Sequence, residues 1–239
     1  MTIRKRIILI LLIALPSIFS LVVYYTTADI SIPFQLAFIS EEVFLEISEK
    51  SVSMLFMAVA SAGFISSFLG LNLIQKHHHE NRRLILCGYK PGELVIANLG
   101  VLTVYIIIVS IYSSFILLCF MDIDNYPGLL AGIILAGFIY GTYGLAVGSI
   151  VRGELEGILL IVLLANIDAG WLQNPIFYAD AQNKVIIEYL PAFYPSQTAI
   201  ASSFSDYSIT KSILYSLTYG LVFLLVSLSI FFNKMKLLR

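Results

Sequence analysis

The 239-residue chain is 59% hydrophobic and 12% charged, with a formal net charge of −1 and a mean hydropathy of +0.92. Soluble domains carry about 25% charged and about 45–50% apolar residues, so this composition excludes a water-solvated surface and leaves lipid as the bulk solvent. It also gives no electrostatic footprint for nucleic acid and leaves no room for a separate catalytic domain.

A helix needs roughly 20 apolar residues to cross a bilayer. The first run, residues 7–25, follows Arg4, Lys5 and Arg6. It exceeds the usual signal-peptide core of about 7–15 residues, and Thr26-Thr27-Ala28 is a poor cleavage site, so a retained first crossing is expected. Pro16 is tolerable there if neighbouring groups satisfy the freed carbonyl. In the polar-aromatic segment that follows, Glu42, Glu46 and Glu49 fall at i, i+4 and i+7. That spacing predicts a short helix at the outer interface, with Phe38, Phe44 and Leu45 off its acidic face.

The second run, residues 52–74, is seeded with small residues that permit close backbone approach. A polar, mostly basic island follows, Lys76 to Gly92 (KHHHENRRLILCGYKPG). The third run is 94–120, and an acidic turn through Asp122 and Asp124 leads to the fourth, 128–151. There Gly137, Gly141, Gly144 and Gly148 share about a 60° arc, a ridge that predicts helix packing. Gly128 and Gly132 point the other way. The fifth run, 157–171, is short, with Asn166, Asp168 and Trp171 near its far end. A proline- and aromatic-rich segment separates it from the last run, 212–232.

With six crossings and both ends inside, the inner side holds Arg4, Lys5, Arg6, Lys76, Arg82, Arg83, Lys90, Arg152, Lys234, Lys236 and Arg239. Those are 11 of the 14 basic residues, as the positive-inside rule requires. The fold class is therefore an all-α membrane protein, one transmembrane domain over residues 1–239.

Chemistry is sparse. His77, His78 and His79 are consecutive, so on a helix they diverge by about 100° each and predict no metal site. Glu41-Glu42 resembles the glutamate pair of some intramembrane proteases, but those need further Glu, His or Asn ligands inside membrane helices. The only histidines here are the three of the island, and the pair itself falls in an outer loop. Cys87 and Cys119 fall on opposite sides and read as packing residues, not a disulfide. No GxxxxGK[ST] phosphate loop is present, so any ATPase activity belongs to another chain. Asp168 has two readings: an intramembrane carboxylate in a pathway or gate, or a wet helix end at the interface, where Trp171 fits an aromatic belt.

The segment Glu80–Leu94 (ENRRLILCGYKPGEL) is similar to the acidic-then-basic "TL…G…P…L" segment of type-2 ABC exporter permeases, the ABC-2 family. The short fifth run, followed by Asn174-Pro175 and Leu190-Pro191 through Pro195, and the six-run topology extend that resemblance over the whole chain. The resemblance implies a bacterial plasma-membrane export permease that pairs with a second permease subunit. It implies docking of a separate ABC ATPase, which holds ATP and Mg²⁺, on the loop carrying Glu80, Arg82, Arg83, Leu84, Ile85, Gly88 and Tyr89. No cofactor is expected on this chain. It further implies a re-entrant segment after the fifth helix, and an amphipathic or hydrophobic substrate (peptide, lipid or drug). Only residues 1–6 precede the first run, so the family's interfacial helix there is expected to be reduced or missing. That departure puts more of the inner contact on residues 151–157. Two other classes stand beside this one. A six-helix substrate-capture subunit of an uptake system calls for convergent polar residues near the outer face, and few are present. The other is a membrane sensor or immunity protein that does not transport.

Overall fold

The computed structural model describes residues 2–36, 43–75, 83–84, 87–89, 91–151, 153–168 and 184–236. In chain order its elements are α1 (Thr2–Thr26), a hairpin of β1 (Ser31–Leu36) and β2 (Val43–Ser48), α2 (Glu49–Gln75), α3 (Pro91–Leu118) and α4 (Tyr126–Ile150). Then follow α5 (Glu154–Ala165), α6 (Lys184–Glu188), α7 (Phe193–Phe204) and α8 (Thr210–Lys236). Among the described residues, α2, α3, α4 and α8 are each long and apolar enough to cross a membrane, and α1 contributes a shorter apolar stretch, Leu12–Thr26. With 12 residues, α5 rises about 18 Å, well short of a hydrocarbon core of about 30 Å.

The bundle is built around α4. In its apolar window 72% of the residues are buried, against 17% in that of α8, which lies at the rim of the bundle. Between apolar helices in lipid the hydrophobic effect supplies little, so close packing must hold them together. The glycines of α4 make this possible. A Cβ at Gly144 would fall on the backbone carbonyl of Ser67, and one at Gly70 on that of Gly141. Gly137 and Gly141 face Ile106 and Leu102 of α3, Gly148 faces Leu71 and Ile74, and Gly128 and Gly132 receive Ser202 and Ala199 of α7.

Two ends of the bundle are tied differently. At one end the backbone N–H groups of Asp124 and Asn125 donate to the carbonyls of Ser203 and Ser202 (3.2 and 3.0 Å), while Asn125 Oδ1 caps α4 by accepting from Gly128 N–H. At the other end Gln75 Nε2 donates to the carbonyls of Val151 and Gly153, both at 3.2 Å.

The segment before α2 departs from expectation. Glu46 lies on β2 and Glu49 opens α2, so the predicted acidic helix is not formed; Glu42 lies outside the described residues. The carboxylate spacing fits a helix, but the apolar residues alternate with period two, and that pattern wins. Phe34, Leu36 and Ile47 are buried on one face of the antiparallel pair and join the core around Val52 and Phe56. The cysteines also differ from expectation: Cys87 and Cys119 are both exposed, at loop positions where neither packs into the core.

Candidate functional site

Two regions carry polar chemistry, one at an end of the bundle and one inside it. The first is the island between α2 and α3. Glu80, Arg82 and Ile85 lie outside the described residues, as do His77, His78 and His79. Arg83 and Leu84 are helical and exposed. The chain then closes as a helix C-terminus. Cys87 N–H donates to the Arg83 carbonyl (3.0 Å) and Tyr89 N–H to the Leu84 carbonyl (3.1 Å), around Gly88 at φ +101°. The bond between residues five apart across a left-handed glycine is the Schellman arrangement, and only glycine adopts that φ without strain. Pro91 then opens α3, where its missing N–H is no loss, and Glu93 sits in the first turn. The turn presents Arg83 beside Leu84 (37% exposed) and Tyr89 (52% exposed), a mixed basic and apolar surface.

Gln75 joins this island's entry to the next loop on the same side. Its amide grips the turn between α4 and α5, and a Cβ at Gly157 would meet Leu71 and Gln75, so α5 lies directly against the end of α2. This cross-link is absent from any local pattern in the sequence. Gln75→Leu keeps the volume and deletes two hydrogen bonds of about 1 kcal/mol each. The expected result is a thermal unfolding midpoint a few degrees lower, with proteolytic cleavage at the 151–153 turn made several-fold faster; an unchanged cleavage rate would show the grip to be idle.

The second region surrounds Asp168. The helix α5 ends at Ala165, and residues 166–168 form one wider π turn. Asp168 is the last residue of that turn and is 0% exposed. The solvated helix end weighed for it above therefore does not describe this carboxyl. Its Oδ2 accepts from the Tyr140 hydroxyl at 2.5 Å and from the Ala192 backbone N–H at 2.8 Å. One side chain thus ties the end of α5 to the middle of α4 and to the start of α7. Tyr140 is itself set in place by a gap: a Cβ at Gly63 would stand 2.9 Å from its ring.

Asn166 is not part of this cluster. It is exposed and its amide donates to the Val162 carbonyl (2.8 Å), satisfying its own helix. Trp171 lies outside the described residues. Sequence reasoning missed Tyr140, which looks like any core aromatic until its hydroxyl is seen to meet a buried acid. It also missed the burial of the polar side chains on α7, where Ser196, Gln197, Thr198, Ser202 and Ser203 are all enclosed. At 12 residues α7 is too short to cross, and it is enclosed by α4, α2 and α8. Tyr194 at its start stacks on Tyr215 (4.9 Å, 29°), and Tyr219 Oη donates to the Tyr189 carbonyl. No group of three or more metal-ligating side chains exists among the described residues.

Long apolar helices on a glycine-packed axis, a basic inter-helix loop and a buried carboxyl tie define a multi-pass helical membrane protein. The family model described as "ABC-2 family transporter protein" matches residues 28–229, and the chain belongs to that family of membrane transport components. No curated protein matches the chain.

Proposed function

We propose that the chain is the permease subunit of an ATP-driven exporter. It crosses the plasma membrane of a bacterium six times, with both termini inside, and works as one of a pair of permease subunits. ATP and Mg²⁺ are bound by a separate ABC ATPase that docks on the island between α2 and α3. The observation that carries this reading is the exposed Arg83, Leu84 and Tyr89 surface at the helix end closed by Gly88, in a member of a transporter family. A basic and partly apolar knob complements an acidic, partly apolar notch. Glu80, Arg82 and Ile85 complete that surface in this reading.

Movement of the island is passed to α2, and from α2 through Gln75 and the Ser67–Gly144 contact to α4 and α5. The carboxyl of Asp168 then acts as a gate element, with Asn166 and Trp171 near its outer mouth. The segment from Trp171 through α7 re-enters the outer leaflet, and protein shields its non-spanning backbone. The substrate is amphipathic or hydrophobic: a peptide, a lipid or a drug.

Co-expression with a candidate ABC ATPase tests this. The two are expected to co-purify in mild detergent and hydrolyse ATP. Arg83→Glu is expected to lower complex yield about tenfold by placing like charge at the dock, and Glu80→Ala to uncouple hydrolysis from substrate. A wild-type chain that purifies alone and binds a small ligand as a monomer would overturn the reading.

A further inference from the structure

We propose that the open edge of β2 is a docking site for an extended, cationic peptide segment, which adds to the hairpin as a third strand. The register decides which backbone groups are free. Glu49 N–H donates to the Ile30 carbonyl (2.8 Å), and the pairing continues as Ile32 with Ile47, Phe34 with Leu45 and Leu36 with Val43. In an antiparallel ladder the bonded pairs alternate, so the intervening residues turn their N–H and C=O groups outward. On β1 these are Ser31, Pro33 and Gln35, and Pro33 has no N–H to offer, which blunts that edge. On β2 they include Phe44 and Glu46. Among the described residues no backbone group pairs with either.

The open edge looks onto a cleft of about 320 Å³. One wall is β2 itself, residues 45–48; the other is made by Ser51, by Asp122 and Asp124 of the turn before α4, and by Ser203 and Phe204 at the end of α7. That volume is within the usual range of about 300–1,000 Å³ for ligand sites. The far wall is held in place, because Asp124 and Asn125 are bonded through their backbone to α7. Glu46, Asp122 and Asp124 are exposed, and no cation lines the cleft among the described residues. Lys50, next along α2, is drawn away over the Tyr24 ring (4.6 Å).

Strand addition takes affinity from main-chain bonds and specificity from what meets alternate side chains. Here carboxylates flank the added strand, so Lys or Arg at alternate positions is selected, and an acidic segment is repelled. The site lies at the end of the bundle opposite the island, which the exporter reading makes the outer face. The inference rests on that reading only for the side from which the segment arrives.

The test uses the full-length chain in detergent micelles and a short fluorescent peptide of alternating Lys and Val, followed by anisotropy, with empty micelles as control. Saturable binding is expected, together with none for the Glu-Val counterpart. Glu46→Gln with Asp122→Asn and Asp124→Asn should weaken binding about tenfold, since exposed charge pairs are individually weak. On the wild-type protein, N-methylation of alternate peptide amides keeps every charge and should abolish binding. Equal binding of the methylated peptide overturns the edge, undiminished binding to the triple variant overturns the charge selection, and no saturable binding overturns both. No ATPase enters the titration, so its failure leaves the exporter reading standing, and failed co-purification leaves this one standing.

Discussion

Gly144→Val is expected to abolish recovery of folded protein, whereas Gly100→Ala, in the same bundle, is expected to be neutral or slightly stabilising. The contrast comes from what each added carbon meets. At Gly144 the first carbon already overlaps the carbonyl oxygen of Ser67, and a backbone atom cannot rotate away as a side chain can. The helices must separate, and with them go the Gly70–Gly141 and Gly148–Leu71 contacts along the same seam. Overpacking a well-filled site costs about 1–3 kcal/mol, and here a whole helix contact is forfeited in lipid, where close packing is the main attraction between helices. At Gly100 nothing stands within 4 Å, and alanine is favoured over glycine in a helix by about 1 kcal/mol. Gly141→Ala falls between, since its carbon meets only the tips of Leu102 and Ile106 at 3.3 Å. Size-exclusion profiles of the tagged protein in detergent, read at increasing temperature, should rank the variants in that order. A monodisperse Gly144→Val protein with a wild-type midpoint would show that α2 and α4 do not meet as described.

Membrane class was legible because lipid leaves no alternative for so apolar a chain, and the position of four glycines on one face followed from helical periodicity alone. Which helices meet at that face was not, because Ser67 and Gly70 announce only smallness. The hairpin was misread for a related reason: Glu42, Glu46 and Glu49 happen to fit a helix, while the alternation of Phe34 and Leu36 with Leu45 and Ile47 is spread over two short strands that support each other only once paired. The site at Asp168 was half legible. An acid in an apolar run draws attention on solvation grounds, but its partners lie 28 residues before and 24 after it. No local pattern encodes such contacts.

Asp168→Ala should lower stability most among the variants of that cluster, Tyr140→Phe less, and Asp168→Asn least. Alanine leaves both the Tyr140 hydroxyl and the Ala192 N–H without their shared acceptor, at about 1–3 kcal/mol for each buried group. Phenylalanine removes one of the carboxyl's two donors described here and keeps the ring that fills the space opposite Gly63. Asparagine preserves both links when its carbonyl oxygen takes the place of Oδ2 and accepts from the Tyr140 hydroxyl and the Ala192 N–H alike. Intrinsic fluorescence of the single tryptophan gives the unfolding midpoint. The same three variants separate a gate from a pin. A pin needs only geometry, so Asp168→Asn should then transport as wild type does once stability is matched by lowering the temperature. A gate must release and re-form the tie during each cycle, and there the carboxyl matters, because a neutral amide changes the strength of the bond to Tyr140 without displacing it. The expected result is a folded Asp168→Asn protein with wild-type ATPase docking and transport reduced about tenfold, equivalent to a barrier change of about 1.4 kcal/mol. Wild-type transport by that variant would reduce Asp168 to the element that holds α7 against α4.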